Sequence, residues 1–166
     1  MRILLLSVVV VALDQISKWS VKLFFEYGQP HRLIGDWVRL TYIENPGMAF
    51  GIQVGGQKFF TVFAIVATAI IFVYIVRARG EKMPIRLALA LILGGAIGNL
   101  IDRLLYGKVV DFVDLGVGST RWPIFNLADS AVTIGMIILI TIVLFDRSPK
   151  DTVEEEEVAS ENRVYS

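Results

Sequence analysis

The residues best suited to chemistry lie in the 98–130 segment, at the ends of two long apolar stretches. Its acids are Asp102, Asp111, Asp114 and Asp129. Ionisable groups within or beside a hydrocarbon layer are costly and rare, so such a cluster indicates a functional site. Two carboxylates that meet at a membrane boundary could share a proton and activate water. We therefore interpret this segment as a candidate hydrolytic site.

Asn99, Asp102 and Arg103 follow one another at helical spacing and share a face of a predicted helix. Arg103 could hold a carboxylate through two hydrogen bonds, and the Asn99 amide could orient one. An alternative for Arg103 is a bond to a lipid phosphate or to the carbonyls of the last helical turn. The spacing does not decide between these roles.

Asp111 follows two valines in the sequence V-V-D-F. These apolar neighbours predict a buried carboxyl, and burial would raise its pKa. Asp114, three residues later, has the pattern of an ordinary loop acid.

Pro123 and Asn126 indicate the start of a helix, with Asp129 three residues after Asn126. An ordinary N-cap followed by an acid has the same pattern. If the two helices are antiparallel neighbours, Asp111 and Asp129 can meet at the outer membrane surface. One ionised carboxylate could then take a proton from water while its neutral partner donates to a scissile carbonyl and later protonates the leaving amine.

Composition places this chemistry in a membrane. The chain has 166 residues, 55% hydrophobic and 19% charged, with a mean hydropathy of +0.63 and a net charge of +0. The apolar residues form long blocks, as membrane spans do. No basic patch suggests a nucleic-acid partner. With no cysteine and with His31 as the one histidine, we expect neither a metal nor a cofactor.

Four spans are predicted, at about 3–25, 59–76, 85–105 and 124–145. The first could be a cleaved signal, but no small-x-small cleavage site follows its apolar run, which favours a retained helix. Inside this span, Asp14 and Lys18 form an i,i+4 pair of opposite charge. We interpret this pair as structural, with a direct catalytic role as the alternative.

The predicted fold class is an all-α membrane protein with four transmembrane helices and a small extracytoplasmic β-platform. Basic residues near 77–86 and at both ends place these parts, and both termini, in the cytoplasm. Alternating residues from Trp37 to Glu44 predict the strands of the platform, which we assign to 26–58. The predicted domains are a membrane domain over 1–147 and a disordered acidic cytoplasmic tail over 148–166.

Five blocks together resemble the bacterial lipoprotein signal peptidases (signal peptidase II), which are integral membrane aspartyl proteases. The blocks are D-Q-I-S-K (14–18), N-P-G-M-A-F (45–50), G-N-L-I-D-R (98–103), V-V-D-F (109–112) and F-N-L-A-D-S (125–130). Each block alone is weak evidence. Their order and their placement on four hydrophobic spans make the combination specific, and the resemblance covers all but the acidic tail.

The resemblance implies cleavage of prolipoprotein signal peptides before a diacylglyceryl-modified cysteine. It assigns the catalytic dyad to Asp111 and Asp129, with Asp102 as the rival for the first position. Residues implied to support the site or bind substrate are Asn45, Asn99, Asp102, Arg103 and Asn126. Asp14 and Lys18 would brace the helices. The implied setting is a monomer in the bacterial cytoplasmic membrane, which contacts membrane lipid and lipid-modified prolipoproteins, with its site on the extracytoplasmic side.

Two other classes of function remain as alternatives. A small proton-coupled carrier would also use intramembrane acids, but it should place them near the midplane, often within inverted repeats. A noncatalytic assembly factor could use the charged cluster to bind a partner helix. Such a factor would tolerate Asp111→Asn or Asp129→Asn better than a protease could.

Overall fold

The structure is a computed structural model that describes residues 2–47 and 56–145. In it the four predicted spans are helices, each long and apolar enough to cross a membrane, which confirms the four-span prediction. These helices are α1 (Leu4–Phe24), α2 (Gly56–Arg77), α3 (Met83–Tyr106) and α4 (Leu127–Phe145).

Local sequence signals determine where α3 begins and ends. Pro84 lies in its first turn, where a missing backbone N–H leaves no intrahelical bond unmade. Gly107 follows its last residue with a φ of 71°, and the Gly107 N–H donates to the Arg103 carbonyl at 3.0 Å. This left-handed position favours glycine because it has no Cβ. The chain therefore leaves α3 sharply and continues directly into the strand that carries Asp111.

Small residues on α3 let the helices on either side approach closely. A Cβ added to Gly94 would lie 2.7 Å from the Val10 Cβ on α1. On the other side, a Cβ on Gly95 would collide with the Ala128 carbonyl of α4. Gly94 and Gly98 lie four residues apart, a spacing that predicts a face of small residues, and in the structure this face is a packing surface, as expected for helices in lipid. It brings the first and last helices to one central helix.

The helix α2 lies against α3 and turns apolar side chains outward. Val62, Phe63 and Ile70 are each at least 60% exposed on this helix. Apolar side chains exposed at this density belong against lipid rather than water. The helix therefore forms the outer wall of the bundle beside the site.

A four-stranded antiparallel sheet, in the order β1-β2-β3-β4, covers one end of the bundle. Its strands are β1 (Pro30–Ile34), β2 (Val38–Asn45), β3 (Val109–Val117) and β4 (Thr120–Arg121). The platform was predicted over residues 26–58, but in the structure β3 and β4, which lie between α3 and α4, add two further strands to it. Ile43 pairs with Asp111. Asp111 consequently lies on a strand. The prediction that both acids lie at helix ends was therefore wrong for Asp111.

Asp114 is the clearest error of the sequence analysis. We expected an ordinary loop acid, yet it is only 5% exposed. Its Oδ2 accepts a hydrogen bond from the Thr41 hydroxyl at 2.9 Å, and its Oδ1 accepts one from Arg121 Nε at 2.8 Å. Because these partners lie on β2 and β4, Asp114 fastens three strands together. No local pattern in the sequence indicates the strand pairing that brings Thr41 and Arg121 to Asp114.

The segment N-P-G-M-A-F-G, residues 45–51, predicts a tight turn from its proline and glycines, and part of it can be described. The Gly47 N–H donates to Asn45 Oδ1 at 2.9 Å, and Gly47 has a φ of 108°. The chain therefore turns at Asn45 as predicted. The rest of this turn and the predicted tail over 148–166 lie outside the described residues.

Candidate active site

Asp111 and Asp129 line the same cavity, which has a volume of about 270 Å³. Asn45 and Arg103 line it too, together with Phe60, Trp122 and Phe125. Four predicted site residues are therefore placed around one space next to the sheet. Aromatic side chains complete its walls.

Asp129 enters this cavity from the first turn of α4. Its N–H donates to Asn126 Oδ1 at 2.9 Å, and its Oδ2 accepts the Asn126 N–H at 3.2 Å. These reciprocal bonds form a capping box, one of the two interpretations that the sequence left open. The same aspartate also lines the cavity, so the cap and the candidate site are built from one pair of residues.

Asp111 is almost fully buried, at 2% exposure, on the neighbouring strand β3. Its Oδ2 accepts from Asn45 Nδ2 at 3.0 Å and its Oδ1 accepts from Asn126 Nδ2 at 2.7 Å. Burial, and next the negative charge of Asp129, raise the pKa of Asp111 to about 7. The hydrogen bonds from Asn45 and Asn126 act in the opposite direction and lower it. The rise predicted from the apolar V-V-D-F context is confirmed.

Asn99 connects Asp129 to a buried lysine. Its Nδ2 donates to Asp129 Oδ1 at 2.7 Å, and its Oδ1 accepts from Lys18 Nζ at 2.9 Å. Since an ammonium group can only donate, Lys18 requires the oxygen of the Asn99 amide to face it. The amide nitrogen must then face Asp129. Asn126 Nδ2 also donates to the same Asn99 oxygen, at 3.1 Å.

Lys18 lies between two carboxylates and is only 3% exposed. Its Nζ is 2.8 Å from Asp14 Oδ2 and 3.1 Å from Asp102 Oδ2. With Asn99, these acceptors use all three of its donors. The predicted i,i+4 pair therefore forms within α1, and the contacts of Lys18 with Asp102 and Asn99 join α1 to α3. A buried pair of this kind is tolerable because its remaining lone pairs are also bonded.

Asp102 faces α1 and the backbone of β3, and it is absent from the described lining of the cavity. Its Oδ2 accepts the Val110 N–H at 3.1 Å, next to Asp111. Its Oδ1 accepts from Gln15 Nε2 at 3.0 Å. Asp102 thus contacts the strand that holds Asp111 without reaching the cavity that Asp111 lines.

Asp14 extends this network to α4, because its Oδ1 accepts the Ala128 N–H at 3.0 Å. A backbone N–H in the first turn of a helix has no intrahelical partner, so this carboxylate acts as a distant cap. Gln15, which the sequence analysis did not select, donates to Asp102 and to the Gly98 carbonyl at 3.1 Å. The feature of the sequence that could have identified Gln15 is its position inside the D-Q-I-S-K block.

Arg103 lines the cavity beside both Asp111 and Asp129. Its Nη1 donates to the Asn99 carbonyl at 3.3 Å, one turn earlier in α3. Because α3 ends at Tyr106, this carbonyl precedes the last turn, and the bond is not the one to a last-turn carbonyl that was an alternative. It holds the guanidinium of Arg103 on the side of the helix that faces the two acids.

Two further cavities begin at Asp129. One, of about 350 Å³, lies between α2, α3 and α4, and the other, of about 490 Å³, lies between α4 and the sheet. Their walls are largely apolar. Within residues 2–47 and 56–145, no group of three or more His, Asp or Glu side chains is arranged to hold a metal ion. The site therefore offers carboxyl, amide and guanidinium groups beside apolar space.

The chain matches known proteins over nearly all of the described structure. A family model described as signal peptidase (SPase) II matches residues 6–145. The lipoprotein signal peptidase of Burkholderia thailandensis is 47% identical over 139 residues, which are 81% of this chain and 82% of that protein. The lipoprotein signal peptidase of Moorella thermoacetica is 43% identical over 139 residues, covering 84% and 90%.

Solved structures give the same relationship. A bacterial membrane enzyme determined by the in meso method at 2.3 Å resolution superposes with a TM-score of 0.77 and is 35% identical, over 90% of this chain and 91% of that one. A second such structure, at 1.9 Å resolution, has a TM-score of 0.74 and 34% identity, with coverage of 88% and 94%. The resemblance found in the five sequence blocks is thereby confirmed, and this chain belongs to the signal peptidase II family.

Proposed function

We propose that this protein is an aspartic endopeptidase of the membrane, which removes signal peptides from diacylglyceryl-modified prolipoproteins. Removal of lipoprotein signal peptides is the activity of its family. The aspartic mechanism is supported by one observation above others: Asp111 and Asp129, from different elements, line one cavity. Two carboxyls at such a place can hold one proton between them and activate a water molecule.

The two carboxyls have different roles in this proposal. Asp111 is neutral below about pH 7, because burial and the Asp129 charge raise its pKa to about 7, and it gives its proton to the oxygen of the scissile carbonyl as water attacks. Asp129 is ionised and accepts a proton from water as the water oxygen attacks the carbonyl carbon. When the tetrahedral intermediate collapses, the C–N bond breaks and Asp129 passes that proton to the leaving amine, a step that the sequence-based scheme gave instead to the neutral partner. Asp111 recovers its own proton from the new carboxyl group.

Amide side chains hold the two acids for this reaction. Asn45 and Asn126 both donate to Asp111, while Asn99 donates to Asp129. Arg103, beside both acids, stabilises negative charge on the intermediate or on bound substrate. Asn45 is at the turn where the chain leaves the sheet, so it also meets the substrate backbone or its lipid.

The remaining predicted residues position the site. Asp102 holds the Val110 N–H and so fixes the strand at Asp111. Asp14 and Lys18 brace α1 against α3 and α4. These residues are positioning residues rather than catalytic ones.

The lipid on the substrate explains why such a protease lies in a membrane. Each buried methylene adds about 0.8 kcal/mol of anchoring, so two acyl chains keep the cleaved bond at the membrane surface. The largely apolar cavities that Asp129 lines support this proposal, because they offer space for those chains and the adjoining peptide. Membrane lipid is the other partner, and the protein acts as a monomer.

The proposed orientation follows from charge. Arg77, Arg79, Lys82 and Arg86 gather between α2 and α3, which places that connection in the cytoplasm. Both termini then lie in the cytoplasm, and the sheet and the acids lie outside the bacterial cytoplasmic membrane. The peptidase domain extends over 1–147, and the acidic tail over 148–166 is a cytoplasmic appendage.

The alternative of a proton-coupled carrier is not supported, since the chain belongs to a peptidase family. The test of the proposed function is a processing assay with purified protein in lipid. A diacylglyceryl-modified precursor should be cut just before the modified cysteine, and the same precursor without lipid should be a poor substrate. Equal cleavage of both would contradict the proposed recognition of lipid.

A further inference from the structure

Two hydroxyl groups in the membrane helices differ from the others. Ser and Thr hydroxyls in helices usually donate to a backbone carbonyl in the preceding turn. Among the described residues, such hydroxyls donate to a backbone carbonyl of their own helix or of a neighbouring one: those of Ser7, Ser17, Ser20, Ser130 and Thr141. Thr68 and Thr133 make no hydrogen bond within the described residues.

Both exceptions line the same cavity, the one of about 350 Å³ between α2, α3 and α4. Thr68 is on α2 and Thr133 is on α4, so they stand on two different walls. The Thr133 side chain is exposed, whereas the Thr68 hydroxyl oxygen is buried in its wall. Rotation about χ1 exchanges the methyl and hydroxyl groups of a threonine, and helices accept two of its rotamers. Each hydroxyl can therefore be turned toward a molecule in the cavity.

The cavity leads from the acids into the membrane. Asp129 lines it, and Thr133 lies one turn further along the same face of α4, about 6 Å deeper. Phe60 lines both this cavity and the one that contains Asp111. Thr68 lies eight residues after Phe60 on α2, which corresponds to about 12 Å along the helix. The two hydroxyls thus lie at two successive depths, about 6 and 12 Å further into the membrane region than the start of the cavity.

An extended peptide needs such partners at this depth. A protease can attack a peptide bond only where the backbone is accessible, so the signal peptide must be unwound next to the cleaved bond. In lipid every carbonyl freed by unwinding must find a donor. At about 3.3 Å per residue, 6 and 12 Å correspond to roughly two and four residues of extended chain.

Resting on the proposed function, we propose that Thr68 and Thr133 donate hydrogen bonds to backbone carbonyls of the signal peptide about two to four residues before the cleaved bond. The occupant of this cavity is therefore an extended segment of the precursor, on the signal-peptide side. The two threonines determine how well that segment binds, and neither takes part in the bond-breaking step.

The first experiment compares Thr68→Val, Thr133→Val and the double variant with the unchanged protein, using a synthetic diacylglyceryl precursor in lipid. Valine keeps the shape and removes the donor. Each single change should raise KM by about three- to tenfold with little change in kcat, since the bond is made equally in the ground and transition states. Thr141→Val is the matched control, because the Thr141 hydroxyl donates to its own helix at 2.8 Å and should leave KM unchanged.

The second experiment locates the acceptor. Precursors with single amide-to-ester replacements upstream of the cleaved bond carry a weaker carbonyl acceptor at one known position. The replacement at the partner carbonyl should weaken binding to the unchanged protein and have no effect on the matching threonine variant. Penalties that stay the same in both proteins would overturn the proposal, as would an unchanged KM in the double variant.

Binding to the Asp111→Asn protein separates this proposal from the proposed function. The Kd of the uncut precursor should rise in that background when Thr68 and Thr133 are changed, whatever the role of Asp111. An unaltered Kd refutes the threonine pair and indicates that lipid or another group fills the cavity. Cleavage that persists in Asp111→Asn refutes the dyad and leaves the pair standing.

Discussion

The side-chain amide of Asn126 donates to Asp111 Oδ1 at a distance of 2.7 Å. The same asparagine caps the helix of Asp129, through bonds of 2.9 and 3.2 Å. A single residue that is fully buried therefore holds both acids. The beginning of α4 and the strand β3 cannot move apart without breaking one of these bonds. This shared partner makes the distance between the acids a property of the fold.

Asp111→Asn and Asp129→Asn should each lower the rate of precursor processing by about 10²- to 10⁴-fold, since each removes a proton donor or acceptor. Asp114→Asn is the matched control, because Asp114 is buried on the same strand but bonds Thr41 and Arg121. Its loss should affect thermal stability and spare kcat. Near-normal processing by either of the first two variants, with folding verified by thermal unfolding, would exclude the dyad.

The value of kcat/KM should fall as the pH rises through about 7. Asp111 must be neutral to donate to the scissile carbonyl, and its raised pKa keeps it neutral up to that range. Above it, Asp111 loses its proton and can no longer donate to the carbonyl. The measurement is a pH profile of precursor cleavage at constant ionic strength, with Asp114→Asn as a control that keeps the same alkaline limb. A profile that is flat from pH 6 to 9 would contradict the assigned role of Asp111.

Protein stability should also depend on Asp111. Its pKa is about 7 in the folded protein and 3.8 as an unperturbed side chain. A raised pKa means that the folded state binds the proton more tightly, so the stabilisation is complete below 3.8 and is lost as the pH rises through about 7. Thermal unfolding should show the unchanged protein losing stability over this window, and Asp111→Asn losing less. Parallel curves for the two proteins would mean that Asp111 keeps an ordinary pKa.

Lys18→Met should destabilise the protein by about 3–5 kcal/mol, because it leaves two buried carboxylates without their cation. The unfolding free energy in detergent or lipid measures this loss. Lys22→Met is the control: the Lys22 ammonium lies 3.8 Å from the centre of the Tyr106 ring, and loss of such a contact costs about 1 kcal/mol. Similar losses for the two variants would show that the Asp14–Lys18–Asp102 cluster contributes little.

Gly95→Ala should lower both stability and activity, because the added Cβ would collide with the Ala128 carbonyl, one residue before Asp129. Overpacking of this kind costs about 1–3 kcal/mol, and it would push α4 and its acid away from the cavity. Gly80→Ala provides the comparison, since a Cβ there meets nothing within 4 Å. If the two changes have equal effects on processing, the close approach of α3 and α4 does not position Asp129.

The sequence predicted the elements of the fold better than their contacts. Long apolar runs identified all four helices, because length and hydropathy alone decide what can cross a membrane. Alternation from Trp37 to Glu44 identified one strand. It could not show that this strand pairs with β3, because strand pairing depends on contacts between residues far apart in the chain. For that reason Asp111 was expected at a helix end and is found on a strand.

The candidate site shows the same division. Residue type and spacing pointed to Asn126 and Asp129 as a helix cap, and local bonds confirm it. The ion pair of Asp14 and Lys18 was also readable from their spacing. The partners of Asp114 and the unpaired hydroxyl of Thr68 were not, because both depend on which elements become neighbours. Local sequence patterns predict contacts within one helix or turn, and only the tertiary structure shows contacts between elements that are distant in the chain.

The bond from Ala128 to Asp14 has a consequence for how the protein is made. The carboxylate belongs to the first helix and the N–H to the last, 114 positions further along the chain. A nascent chain that has inserted three helices lacks Asp129, and Asp14 still awaits the backbone group that it caps. With the proposed dyad, proteolytic activity arises only when synthesis has delivered the fourth helix, so a partly synthesised chain is unable to cleave other membrane proteins.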